Sequence, residues 1–106
     1  MNHEQVVAMA EETGLLFAYD HFVEGQSPEP PFLVFLYPGV NNFAADGITY
    51  FKVNRLHLEL YTDEKSIELE EMVEAVLTRY GIFYRKSEVW IESENLYEVL
   101  YEMEVY

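Results

Sequence analysis

Apolar residues are spaced along this chain in two ways. Near the N-terminus and in the 66–80 region they recur at helical intervals, and elsewhere they alternate or run together as in strands. Val6, Val7, Met9 and Ala10 give a short amphipathic helix over His3–Thr13, stopped by Gly14. Leu69, Met72, Val73, Val76, Leu77 and Tyr80 form one stripe of a second helix over 66–80. Ser66 is its N-cap, Glu68, Glu70 and Glu71 suit the positive end of its dipole, and Gly81 ends it. Strand patterns fill the remainder: the compact apolar run 15–22, the continuous run "FLVFLY" at 32–37, and Ile48–Tyr61. Two more close the chain, Ile82–Ile91 and Leu96–Val105. Along the third strand Leu56, Leu58 and Leu60 point one way and Arg55, His57, Glu59 and Tyr61 the other. Pro28, Pro30 and Pro31 make 23–31 a loop, and 38–47 reads as another.

The order α-β-β-β-α-β-β predicts one α+β domain over residues 1–106, with an antiparallel or mixed sheet and both helices packed on one face. The expected core is Leu56, Leu58, Leu60, Leu69, Val73, Val76, Leu77, Val99 and Tyr101. A strand of 14 residues extends about 45 Å, whereas a domain of this size is about 26 Å across. Half of the third strand, together with the preceding loop, is therefore expected to protrude as a β-hairpin arm.

Composition supports a folded chain, since half of the 106 residues are apolar and 16% are aromatic. There is no cysteine, which excludes disulfides and thiolate metal sites. No apolar run approaches the roughly 20 residues of a membrane span, and the N-terminus lacks the pattern of a signal peptide. A membrane partner is not expected, and the chain is expected to remain in the cytoplasm where it is made. The net charge is −14, from 20 acidic and 6 basic residues. Such a field repels phosphate backbones, so specific nucleic-acid binding is not expected.

Candidate chemistry is sparse. His57 and Glu59 share a strand face, but zinc requires three or four ligands and no third is apparent, which leaves a solvated cross-strand ion pair as the ordinary reading. The four serines fall in no nucleophile elbow, there is no phosphate-binding glycine loop, and the many carboxylates alternate with apolar residues as on the wet face of a strand. Neither an enzyme nor a cofactor is expected. The aromatics say more. If Val89 and Ile91 face the core, Trp90 lies on the polar face, where with Phe43, Phe51 and Tyr61 it builds a partner surface. The competing reading has these rings covering a second, smaller core.

The stretches "ITYFKVNRLHLELYT", "ELEEMVEAVLTRYGIFY" and "IESENLYEVLYEMEV" resemble the tail terminator (tail completion, or head–tail joining) proteins of long-tailed bacteriophages and prophages. The resemblance runs from Val6 to Val105. It implies a minor structural protein that assembles with itself as a ring, usually a hexamer. Such a ring caps the finished tail tube and meets the tube protein and the head–tail connector proteins. It also implies a place in the host cytoplasm during assembly and then at the head–tail junction of the virion. Gly39, Asn42, Phe43, Asp46 and Tyr50 are the positions that resemble the tail-facing arm. An alternative from a different class is an acidic inhibitor that mimics DNA and occupies a nucleic-acid-binding enzyme.

Overall fold

The computed structural model describes the backbone of residues 1–45 and 48–106, and side chains outside residues 40–52. Helix α1 spans His3–Glu11 and begins with a reciprocal capping box. The Asn2 side chain accepts from the Gln5 amide at 2.8 Å, and the Gln5 side chain accepts from the Asn2 amide at 2.7 Å. The helix is two residues shorter than its pattern suggests, because Thr13 turns its hydroxyl back onto the Ala10 carbonyl, 2.7 Å away. Helix α2 spans Ile67–Arg79, with the Ser66 hydroxyl accepting from the Leu69 amide at 3.3 Å. Gly14 and Gly81 both carry positive φ, +75° and +70°, the conformation that ends a helix and that glycine adopts without strain.

Five strands form one sheet in the order β1-β2-β3-β5-β4, from β1 (Leu16–Tyr19), β2 (Phe32–Ala45), β3 (Ile48–Thr62), β4 (Tyr84–Ile91) and β5 (Leu96–Val105). β1 runs parallel to β2 and every other pairing is antiparallel, so the sheet is mixed and the fold is α+β. β1 stops early because Asp20 adopts a left-handed φ of +70°. Both helices lie on one face. There Val6, Met9 and Ala10 of α1 and Val73, Val76 and Leu77 of α2 pack against Leu33 and Phe35, the leucines 56, 58 and 60, and Val99, Tyr101, Met103 and Val105. The expected core matches this cluster, except that Leu69 is only partly buried at its margin.

One expectation is corrected. The segment from Pro38 onward, read as a loop, continues strand β2 to Ala45 and pairs with β3 as far as Ala45 opposite Ile48. Pro38 lies inside a register shift between Leu36 and Gly39, a bulge that tolerates a residue with no amide hydrogen. The arm is thus a two-stranded hairpin. β5 ends with Val105 opposite Asn54, so beyond that row the sheet consists of β2 and β3 alone. The molecule measures 50 × 29 × 23 Å with a radius of gyration of 14.9 Å, above the roughly 13 Å of an ordinary domain this long.

Candidate interaction surface

Strand alternation decides what each face of the sheet presents. The face without helices carries Phe32 and Val34 of β2; Arg55, His57, Glu59 and Tyr61 of β3; Glu98, Leu100, Glu102 and Glu104 of β5; and Arg85, Ser87 and Val89 of β4. It divides chemically into two ends.

One end is aromatic and acidic. Phe32 stacks on Tyr61 at 5.1 Å, and Phe22 from the 20–31 connection meets Phe32 edge-on at 5.3 Å. Tyr61 therefore belongs to a small second cluster beneath that connection. Beside it Glu59, half-buried, shares the open face with Tyr61 and Glu98, and both act on its carboxyl. Burial, then the hydrogen bond and the charge of Glu98, raise the Glu59 carboxyl to about 7, so near neutrality it holds a proton for much of the time. Burial, then the neighbouring Glu59 and Glu98 charges, push the Tyr61 phenol up.

The other end is concave and carries both signs, with Glu102 and Glu104 beside its two arginines. A groove of about 520 Å³ opens where β3, β5 and the start of β4 meet, lined by Arg55, His57 and Arg85 along with Phe83, Glu102 and Tyr106. His57 faces Glu102 across the strands, Nε2 to Oε2 at 3.5 Å, the cross-strand arrangement expected of it, an ion pair when the imidazole is protonated but without a hydrogen bond. Among the described residues, no three His, Asp or Glu side chains gather to hold a metal ion. No helix among them is long and apolar enough to cross a membrane.

On the helix-bearing face a charged network lies where the sequence showed only helix-dipole glutamates. Glu70 is buried, and Lys65 and Lys86 each reach its carboxylate at 2.7 Å. Burial alone would raise that carboxyl; the two ammonium groups outweigh burial and hold it below the ordinary range. Lys86 also donates to Glu74 at 2.7 Å, and the buried Tyr101 hydroxyl donates to the same carboxylate at 2.7 Å.

The candidate interface positions are scattered. Trp90 pairs in register with Tyr97, whose alternation places both on the helix-bearing face, and the two rings pack at 4.6 Å. The condition that would have turned Trp90 outward fails because Val89, on the opposite face, is exposed rather than in the core. Gly39 sits at the root of the arm with the Arg55 side chain passing over it, the nearest guanidinium nitrogen 3.5 Å from where a Cβ would stand. Asp46 and the side chains of Asn42, Phe43, Tyr50 and Phe51 lie outside the described residues. The sequence reading missed Arg55, Arg85 and Phe83; the lone β-face arginines in an acidic chain were the available signal.

No family model matches this chain, and no curated protein matches it. Its fold is similar to that of a chain in a solved structure of the virion of a native gene transfer agent particle. The TM-score is 0.66 at 12% identity, over 96% of this chain and 87% of that one. At that identity the likeness is one of fold.

Proposed function

We propose that this chain is a structural protein of a long-tailed phage, prophage or phage-like particle. In this reading it is not an enzyme. It caps the completed tail tube and joins the tail to the head, assembling as a ring, first in the host cytoplasm and then in the virion. The observation that carries the reading is the end-to-end fold similarity to a component of a gene transfer agent virion. The protruding hairpin supports it, since an arm with two strands and no third suits a grip on a neighbour or on the tube. Acidity fits a lumen through which DNA must slide without adhering.

Electron microscopy of the protein mixed with its cognate tail tubes tests the proposal. Tubes capped at one end by a ring, and halted in growth, are expected. Uncapped tubes at every protein concentration would sink it. Salt-sensitive binding to a basic nuclease would then favour the DNA mimic.

A further inference from the structure

The first 51 residues contain no lysine or arginine; all six basic side chains lie between Lys52 and Lys86. Of those with described side chains, Lys65, Lys86 and Arg79 are taken up by Glu70, Glu88, Glu74 and Glu12 within the chain. Arg55 and Arg85 make no ion pair among the described residues, although Glu104 and Glu102 stand opposite them in register. Both arginines are exposed and line the groove at the β4 end of the sheet. Phe83 stands beside Arg85 with 95% of its surface open to water. A concave surface with two guanidinium groups that form no ion pair among the described residues, and with a bare phenyl ring, suits an acidic partner that also offers apolar side chains.

The chain carries that complement on its opposite edge. β1 and the connection after it expose Leu16 on the open face, Tyr19 on the helix-bearing face and Val23 beyond, together with Glu24, Glu29 and an Asp20 that His21 engages. β1 and β4 are the two outermost strands of the sheet. We propose that the β4-side groove, through Arg55, Arg85 and Phe83, receives the acidic, apolar β1 edge of a second copy of this chain. Joining opposite edges makes a head-to-tail contact, the kind that closes into a ring or runs on as a filament. The inference rests on the ring reading above and adds to it which surfaces meet. Duplex DNA offers the arginines phosphates, but a chain of charge −14 repels it as a whole.

Charge reversal separates these outcomes. Arg55→Glu with Arg85→Glu takes the net charge from −14 to −18, and Glu24→Lys with Glu29→Lys takes it from −14 to −10. Sedimentation velocity on each protein, with circular dichroism to verify folding, should show that wild type self-associates. Each double variant alone should need at least about 10-fold more protein to do so, the loss of roughly one close charge pair. The second result is diagnostic, because a lower net charge would by itself promote association. Mixing the two variants should restore assembly, since each groove then meets an edge of opposite sign in an alternating ring. Wild type that remains monomeric overturns the interface, and so does a mixture that fails to assemble. Assembly by the arginine variant at the wild-type concentration also overturns it but leaves the ring reading intact. Duplex DNA bound by wild type and released by the arginine variant, with no change in association, overturns it in favour of a phosphate site.

Discussion

Glu59 shows how a carboxyl's neighbours set its charge. It faces Glu98 and Tyr61 on the open side of the sheet, with Asp20 contributing a further negative field. Its affinity for a proton is raised to about 7 in the folded chain, against 4.5 for a free glutamate, so the folded state binds the proton more tightly. Stability must then fall as pH rises from the free value through about 7, because the folded protein has more to lose by deprotonation. Each pH unit of displacement corresponds to about 1.4 kcal/mol, and solvent reaching the half-buried group discounts the total to about 1–2 kcal/mol. Glu59→Gln should therefore be more stable than wild type by that amount above pH 7 and indistinguishable from it near pH 4. Urea denaturation at the two pH values measures this; an equal difference at both would show that the glutamine acts by packing and not by charge. Glu70 has the opposite sign: two ammonium groups hold it ionised in a buried position, so its contribution is lost as the solution becomes acidic.

At the scale of elements, the arm can be separated from the body. The main core cluster draws on β2 through Leu33 and Phe35 and on β3 through Leu56, Leu58 and Leu60, all on the body side of the Asn54–Val105 row, with the buried Val53 one row beyond it. Replacing residues 43–51 by an Asn-Gly turn, which joins the paired Asn42 and Lys52, should leave the melting temperature within a few degrees of wild type, because loop tips whose loss leaves the core intact tolerate such changes. Tube capping should be abolished. A collapse of the melting temperature would show that the hairpin is part of the body. The leucines at 56, 58 and 60 and the stripe on α2 were legible because burial imposes a period, and period fixes face. The extent of β2 was not, since Pro38 and Gly39 mark a turn and a bulge equally well, and only the partner strand distinguishes the two. The Glu70 network was hidden for a similar reason: its lysines come from residues 65 and 86, which meet only once β4 lies beside α2. Trp90 was placed on the wrong face because Val89 and Ile91 look like core residues, yet β4 is an edge strand whose outward face stays wet.

For the whole molecule, long-range repulsion and short-range attraction make opposite demands on salt. Two copies at −14 each repel over distances set by the Debye length, which is about 30 Å at 0.01 M and about 10 Å at 0.1 M. Raising salt across that range should promote assembly, because the 50 Å length of the molecule places much of the charge farther apart than the screened distance. The proposed contact between Arg55, Arg85 and the acidic β1 edge acts at a few ångströms and survives this screening. Near 1 M the Debye length falls to about 3 Å, and exposed pairs of that kind lose most of their attraction. Apolar burial around Phe83 persists, so association should decline there without vanishing. Self-association followed by sedimentation should thus pass through a maximum between about 0.1 and 0.5 M sodium chloride. A steady rise to 1 M and beyond would mean that the copies meet through apolar surface alone. A steady fall from 0.01 M would mean that specific ion pairs outweigh the net charge even when it is unscreened. The arginine-reversed variant supplies the control: with its close pairs removed, only the rise from screening should remain.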